Sequence, residues 1–86
     1  MYYVYVLQSL KTKEFYKGFT DDLERRLREH NGGKTTSTRK MLPLKLVYVH
    51  ECADRNGARE WEKFFKSGIG REIIKELAAM LEWYTG

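Results

Sequence analysis

The segment from residue 21 to residue 30 predicts a short helix with a charged group and an imidazole on its apolar side. Leu23, Arg26, Leu27 and His30 follow the i, i+3, i+4, i+7 pattern, so at about 3.6 residues per turn they share one face. The helix must bury its leucines, and Arg26 and His30 turn inward with them. In the alternative interpretation Arg26 extends past the leucines to solvent and His30 caps the helix C-terminus, where a cation is favourable.

A second ionisable group, Glu62, lies on an apolar stripe of a later helix. The other members of that stripe are Ala58, Trp61, Phe65 and Ile69. A carboxylate on such a face is costly to bury unless it finds a partner or a metal ion. Glu62 is therefore a candidate metal ligand, and an ion pair with Arg26 is the alternative.

Two tyrosines are expected to meet on a pair of strands near the N-terminus. Residues 2–8 form a continuous apolar run rich in aromatic and β-branched residues, which is typical of a central strand covered on both faces. Tyr3, Tyr5 and Leu7 share one side of it. Residues 14–19 resume strand character after a short polar segment, so the two runs predict an antiparallel hairpin that brings Tyr16 near Tyr5.

The remaining elements position these groups. Thr20 or Asp21 is predicted to cap the first helix, with Asp21 and Glu24 at capping-box spacing, and residues 31–33 (Asn-Gly-Gly) end it. A third strand follows Pro43, and Asp54 caps a second helix that ends near Gly68 and Gly70. The predicted order is β-β-α-β-α-α.

Two further predictions concern which residues of an element share a face. In the third strand, one side is predicted to carry Leu44, Leu46 and Tyr48, and the other side Val47 and Val49. The third helix is predicted over residues 72–84, and its inner face consists of Ile73, Leu77, Met80, Leu81 and Tyr84.

Cations collect in the segment from residue 34 to residue 40, which offers no apolar residue to bury. It is either a mobile solvated loop or an arm that contacts phosphates through Lys34, Arg39 and Lys40, and Lys17 joins them as a candidate nucleic-acid contact. The string from Gly33 to residue 35 resembles a phosphate-binding P-loop. A helix precedes it where a strand is required, and the first glycine is missing, so we exclude that interpretation.

The overall composition limits the class of protein. Eighty-six residues suffice for one domain, 1–86, and a net charge of +4 with an isoelectric point near 9.3 favours a polyanionic partner. The single cysteine, Cys52, can form no internal disulfide and no cysteine metal site, which fits a reducing cytoplasm. The N-terminal apolar run is too short for a signal peptide or a membrane span. We therefore expect a cytoplasmic protein with no membrane association, and we assume a monomer.

The candidate residues occur in the order Tyr5, Tyr16-x-Gly18, Arg26, His30, Glu62. This order resembles the GIY-YIG nuclease family, and the resemblance covers nearly the whole chain. The two motifs stand here as residues 3–5 (Tyr-Val-Tyr) and residues 16–18 (Tyr-Lys-Gly), without the first glycine and with lysine in an isoleucine position. The chain is most similar to the small stand-alone, UvrC-type members. The resemblance implies an α+β fold with a three-stranded antiparallel sheet flanked by helices.

The resemblance also implies metal-dependent hydrolysis of nucleic-acid phosphodiester bonds. Glu62 would hold one Mg²⁺ or Mn²⁺, weakly without substrate, and Arg26 would stabilise charge on the phosphoryl oxygens. Tyr5 or Tyr16 would activate the water, with flanking cations and a bound metal ion favouring the phenolate. Tyr5 is preferred as the base, with Tyr16 and His30 in positioning roles.

The implied substrate is DNA, recognised by structure rather than sequence because these residues include no appended reading domain, in repair or recombination. One alternative is a catalytically silent nucleic-acid-binding module on the same fold. Another is a protein that binds partners through its third helix, with Trp83 and Tyr84 exposed.

Overall fold

The computed structural model describes residues 1–85 and has the predicted order of elements. The strands are β1 (Tyr2–Ser9), β2 (Phe15–Thr20) and β3 (Leu44–Cys52), and the helices are α1 (Leu23–Asn31), α2 (Arg55–Lys66) and α3 (Gly68–Thr85). A single 3₁₀ turn, Arg39–Met41, lies between α1 and β3. The protein has an α+β fold, as the resemblance implied.

β1 is the central strand of a three-stranded antiparallel sheet with the order β2-β1-β3. Val4 and Val6 are buried on one face of β1, and Tyr5 and Leu7 are buried on the other. This arrangement explains why residues 2–8 are apolar without alternation, because a strand covered on both faces needs apolar residues at every position.

Helices α2 and α3 cover the face that carries Val4 and Val6. The buried residues of this core also include Val47, Cys52, Ala58, Phe65, Ile74 and Ala78. The opposite face carries Tyr5, against which α1 places the side chain of His30. The sheet thus separates a hydrophobic core on one side from a polar cluster on the other.

The N-cap of helix α1 lies one residue after Asp21 and two after Thr20, the two predicted caps. Asp22 is its N-cap, and its Oδ1 accepts a hydrogen bond from the backbone N–H of Arg25 at 3.1 Å. Thr20 still belongs to β2, and its Oγ1 accepts from the N–H of Asp22 at 3.1 Å, so it shapes the turn before the helix. The capping box starting at Asp21 is therefore wrong. The predicted cap of α2, Asp54, is confirmed, since its Oδ1 accepts from the N–H of Gly57 at 2.8 Å.

A β-bulge in β3 overturns the predicted faces of that strand. Val6 pairs with Tyr48 and the next residue, Leu7, pairs with Leu46, so Val47 lies opposite no residue of β1. An extra residue of this kind interrupts the alternation of side chains. Tyr48 and Val47 pack in the core, whereas Leu46 lies on the other face and is 41% exposed. Strict alternation could not anticipate this change of face.

Helix α3 buries a different face from the one predicted. Ile74 and Ala78 are buried and Leu77 is half-buried, whereas four of the predicted inner residues are exposed: Ile73, Met80, Leu81 and Tyr84. The reason lies at Gly70, where an added Cβ would overlap the backbone of Phe64. The sequence pattern favoured the bulkiest residues, but the helix instead turns inward the stripe of Gly70, Ile74 and Ala78, in which Gly70 permits a close approach to α2.

The predicted stripe of α2 is confirmed in part. Ala58 and Phe65 are buried, and Trp61 lies at the margin with its ring 4.3 Å from that of His50. Ile69 does not belong to this stripe, because α2 ends at Lys66 and Ile69 lies in the first turn of α3, where it is exposed. No helix within residues 1–85 combines the length and apolar character needed to cross a membrane.

Candidate active site

Tyr5 and His30 form the centre of the polar cluster. Tyr5 Oη lies 2.9 Å from His30 Nε2, and the two rings meet edge to face with centroids 5.6 Å apart. His30 is 0% exposed although it is the penultimate residue of α1. The alternative in which His30 caps the helix towards solvent is therefore wrong, and the inward helix face predicted from the leucine spacing is confirmed.

Thr38 completes a buried hydrogen-bonded chain of three side chains. Its Oγ1 lies 2.8 Å from His30 Nδ1, and Thr38 is also fully buried. Burial lowers the pKa of His30, and the nearby charge of Arg26 lowers it further. The imidazole is therefore kept neutral, with one ring nitrogen as donor and the other as acceptor. Sequence analysis missed Thr38 because a single hydroxyl in a cationic segment has no periodicity that marks it as buried.

Gly18 makes room for the Tyr5 side chain. It is the cross-strand partner of Tyr5 on β2, and an added Cβ would lie 2.6 Å from Tyr5 Oη. The Tyr16 ring also faces this cluster, with its centroid 6.3 Å from that of Tyr5 and 5.1 Å from that of His30. The hairpin therefore brings the two tyrosines together as predicted.

Arg26 lies beside the buried cluster rather than within it. Its side chain is 31% exposed, and Nη1 donates a hydrogen bond to Glu29 Oε1 at 3.1 Å. The guanidinium also lowers the pKa of Tyr5, so it is close enough to interact with a negative charge at that hydroxyl. Arg26 is therefore a partly exposed cation next to the Tyr5 hydroxyl.

The pKa of Tyr5 is raised to about 12, mainly by burial and then by Tyr16, with a smaller contribution from Glu62. Arg26 acts in the opposite direction but does not outweigh these effects. The sequence predicted that flanking cations and a bound metal ion would favour the phenolate form of Tyr5. In the protein alone, the surroundings of Tyr5 raise its pKa and so favour the phenol. Tyr5 is a phenol at neutral pH, and its proton needs an acceptor before the oxygen can act as a base.

Glu62 is a partly buried carboxylate at the edge of the same region. Its side chain is 19% exposed, and Oε1 lies 3.2 Å from Lys66 Nζ on the same helix. The alternative pairing of Glu62 with Arg26 is wrong, because each has a partner within its own helix. Glu62 nevertheless influences the pKa of Tyr5, so its charge is felt at that hydroxyl.

The donor set fits a weakly held divalent ion. Within residues 1–85 no group of three or more histidine, cysteine, aspartate or glutamate side chains could bind a metal ion together. A metal ion at Glu62 would therefore have one carboxylate from the described residues as its protein ligand. Mg²⁺ is commonly bound in this way, by one or two carboxylates together with water and substrate phosphate.

The candidate nucleic-acid contacts fall into two places. Lys34, Arg39 and Lys40 are exposed on the segment between α1 and β3, and Arg39 Nε donates to the carbonyl of Gly33 at 3.1 Å. The segment is not solvated along its whole length, because Thr38 is buried and its Oγ1 lies 2.8 Å from His30 Nδ1.

Lys17 lies elsewhere, on the sheet face opposite Tyr16 and Gly18, because adjacent strand residues point to opposite faces. Burial, Arg71 and Lys66 lower its pKa. Lys17 is therefore half-buried among other cations and does not join the cations of the 34–40 segment.

Comparison with known proteins assigns this fold and site to a class. A family model described as the GIY-YIG catalytic domain matches residues 1–72, a range that includes each predicted catalytic residue from Tyr5 to Glu62. The chain therefore belongs to the GIY-YIG family, as the residue pattern indicated.

The similar proteins are small members of that family. A UPF0213 protein of Lactiplantibacillus plantarum is 40% identical over 81 residues, covering 91% of this chain and 79% of the relative. A UPF0213 protein of Haloquadratum walsbyi is 41% identical over 79 residues, covering 90% and 85% respectively. The solution NMR structure of the UPF0213 protein BH0048 from Bacillus halodurans has a TM-score of 0.54 and 32% identity, and the match covers 90% of this chain and 85% of that one.

Proposed function

We propose that this protein is a metal-dependent endonuclease that hydrolyses phosphodiester bonds in DNA, directed by the structure of the substrate rather than its sequence. The observation that carries the proposal is the buried contact between Tyr5 Oη and His30 Nε2 inside the catalytic domain of this family. Such a pair can transfer a proton between two buried atoms that bulk water does not reach. An enzyme of this kind would act in repair or recombination.

In the proposed reaction Tyr5 is the general base. Its proton passes to His30 Nε2, and the resulting phenolate accepts a proton from the water that attacks phosphorus. The water oxygen bonds to phosphorus as the bond between phosphorus and the leaving oxygen breaks. The water proton replaces the one that Tyr5 lost, so the net proton transfer is from water to His30. Tyr16 positions the water or the phosphate beside the Tyr5 ring, which lies 6.3 Å away between centroids.

Two charged residues support the phosphoryl group. Arg26 stabilises the negative charge that builds on the non-bridging oxygens, because a planar guanidinium donates two hydrogen bonds to such oxygens. Glu62 would hold one Mg²⁺ or Mn²⁺ together with the substrate. When bound, that ion supplies positive charge for the phosphate and the leaving oxygen. Its binding requires Glu62 to share or give up the ion pair with Lys66.

Cations of the 34–40 segment contact the flanking phosphates. Lys34, Arg39 and Lys40 are exposed on the segment that packs against His30 through Thr38. Contacts of this kind position a nucleic acid without reading its sequence. The formal charge of +4 adds a general attraction for DNA.

Plasmid nicking tests the proposal. Purified protein is incubated with supercoiled DNA in Mg²⁺, in Mn²⁺ and in a chelator, and branched, single-stranded and RNA substrates are compared. We expect metal-dependent cleavage with a preference for branched DNA. Glu62→Gln should abolish cleavage and leave DNA binding nearly intact, whereas Glu60→Gln, which loses only an exposed pair with Lys63 at 3.7 Å, should keep it. Equal activity of these variants would refute the metal-site assignment.

A silent DNA-binding module is the second candidate. Two observations favour it: Lys66 already neutralises Glu62, and the pKa of Tyr5 lies near 12 in the protein alone. This candidate predicts that the protein binds DNA with a strong dependence on salt but cleaves none of the substrates in either metal.

A further inference from the structure

The Thr38 hydroxyl has a position that its place in the chain does not explain. Thr38 is the N-cap residue of the 3₁₀ turn Arg39–Met41, where a threonine hydroxyl would ordinarily bond to the backbone of that turn. It makes no such bond, and its Oγ1 instead lies 2.8 Å from His30 Nδ1. The side chain therefore serves the histidine rather than the turn.

The backbone around Thr38 fixes the position of that hydroxyl. The N–H of Thr38 donates to the carbonyl of Thr35 at 3.2 Å, and the carbonyl of Thr38 accepts from the N–H of Met41 at 2.9 Å. Together with its complete burial, these bonds hold Oγ1 at one place beside the imidazole. A hydroxyl fixed there can accept from Nδ1–H or donate to an unprotonated Nδ1, so the form of the ring also depends on the partner of Nε2.

The imidazole has two possible neutral forms in this chain. With the proton on Nδ1, His30 donates to Thr38 Oγ1, and Nε2 is free to accept the Tyr5 proton. With the proton on Nε2, His30 donates to Tyr5 Oη, and Nε2 has no lone pair with which to accept anything. The first form gives the buried Tyr5 hydroxyl an acceptor at 2.9 Å, and the second gives one to the buried Thr38 hydroxyl at 2.8 Å. Arg26 also interacts with Tyr5 Oη as a hydrogen-bond donor, which favours the first form, because that oxygen then accepts from Arg26 and donates to His30.

We propose that Thr38 is a positioning residue that holds His30 in the Nδ1–H form, so that Nε2 can accept the proton of Tyr5. In the transfer the Tyr5 O–H bond breaks and an N–H bond forms at Nε2. The resulting imidazolium then donates to the phenolate through Nε2 and to Thr38 Oγ1 through Nδ1. Thr38 itself gains and loses no proton. The consequence for rate rests on the proposed nuclease function, but the tautomer of His30 does not.

Histidine ¹⁵N NMR spectra measure the tautomer directly, without any substrate. We expect the His30 resonances of the wild-type protein to show a protonated Nδ1 and an unprotonated Nε2. Thr38→Val keeps the branched shape and removes the hydroxyl, so we expect a shift towards the Nε2–H form, and Thr38→Ser should restore the wild-type pattern. Thr35→Val is the matched control, because Thr35 Oγ1 is a buried hydroxyl of the same segment with no partner among the described residues.

Single-turnover cleavage at saturating DNA tests the effect on rate. Thr38→Val should lose about 10-fold or more, as expected for a lost partner of a functional histidine, with little change in KM. Thr38→Ser should recover most of the loss, and Thr35→Val should cleave like the wild type.

Several outcomes would overturn the proposal. A wild-type His30 protonated at Nε2 does so even if no variant folds. An unchanged His30 pattern in folded Thr38→Val does so as well. If the tautomer shifts as expected but the wild-type protein cleaves no nucleic acid, the nuclease function fails while the role of Thr38 in setting the ring form stands.

Discussion

At the scale of single residues, the site divides into buried hydrogen-bonded groups and half-exposed charged groups. Tyr5, His30 and Thr38 are buried and linked by short contacts, so their hydrogen bonds have a fixed geometry. Arg26 and Glu62 lie at the margin, each paired within its own helix. The buried residues therefore suit proton transfer, and the marginal ones suit contact with a phosphate that arrives with the substrate.

Replacing each tyrosine with phenylalanine tests the assignment of the base. The substitution removes the hydroxyl and keeps the ring, so packing should survive. We expect Tyr5→Phe to reduce the rate by at least the ~10²-fold of a lost general base and Tyr16→Phe to reduce it less, measured by single-turnover cleavage. Circular dichroism first shows whether both variants fold. A larger loss for Tyr16→Phe would exchange the two roles, and no loss for either would make His30 the next candidate.

Two arginines on α1 provide a matched test of phosphate stabilisation. Arg26 is half-buried beside Tyr5, whereas Arg25 is more exposed and pairs with Asp21 at 3.9 Å. Arg26→Ala should lower the rate at saturating DNA far more than Arg25→Ala does, because only a group that contacts the reacting phosphate stabilises the transition state. If both variants merely weaken binding and reduce the salt slope by about one unit, Arg26 is an ordinary surface cation.

Residue spacing predicted the inward Arg26 and His30 and the nearby tyrosines, because helix and strand periods determine which side chains share a face. It did not predict Thr38, whose burial depends on how the segment from residue 34 to residue 40 folds back on α1. It also could not give the net pKa of Tyr5 in the protein alone, where burial outweighs the neighbouring cation. These effects depend on tertiary packing rather than on local pattern.

At the scale of elements, the hairpin of β1 and β2 depends on one glycine. Gly18 lies under the Tyr5 ring, and this explains why a residue without a side chain is needed in the middle of a strand.

Adding a methyl group at Gly18 should displace the Tyr5 ring. Gly18→Ala places a Cβ 2.6 Å from Tyr5 Oη, so we expect a loss of about 1–3 kcal/mol in the free energy of unfolding and a large loss of cleavage rate. Urea denaturation and single-turnover assays measure the two effects. Gly68→Ala is the control, because its Cβ would meet nothing within 4 Å. Wild-type activity in Gly18→Ala would show that the Tyr5 ring tolerates displacement.

The order of elements was predictable from apolar runs, caps and glycines, whereas two of the faces were not. The bulge at Val47 has no signature in the sequence, and it moves Leu46 and Tyr48 to opposite sides of the sheet. The buried face of α3 is set by the contact of Gly70 with the backbone of α2, which the pattern of large residues conceals.

At the scale of the whole molecule, His30 should make stability depend on pH in the acidic range. Burial lowers its pKa below the ordinary value of about 6.5, so as the pH falls the unfolded chain binds a proton that the folded protein resists. We therefore expect the free energy of unfolding to fall as the pH is lowered below about 6.5, measured by urea denaturation. His30→Gln should flatten this part of the curve and His50→Gln should preserve it. An equal slope in His30→Gln would contradict the burial argument.

Tyr5 should have the corresponding effect at alkaline pH. Its pKa of about 12 exceeds the ordinary value of 10.0, so between these values the unfolded chain releases a proton that the folded protein retains. Stability contributed by the neutral phenol is therefore lost as the pH rises through this range. Comparing urea denaturation of the wild type and Tyr5→Phe isolates this contribution, because lysines titrate in both proteins. Parallel curves would show that Tyr5 ionises as readily in the folded state.

The two-sided burial of β1 has a consequence for how this protein tolerates change. Even-numbered positions, Val4 and Val6, face the core, whereas odd-numbered Tyr5 and Leu7 face the site. The effect of a substitution along this strand should therefore depend on its position. We expect changes at Val4 or Val6 to lower the amount of folded protein, and changes at Tyr5 to lower the cleavage rate of protein that still folds. A one-residue slip of the strand would place valines in the site and tyrosine in the core, so no stable slipped form with an intact site is available. Only the native register therefore places Tyr5 on the side of the sheet that faces His30.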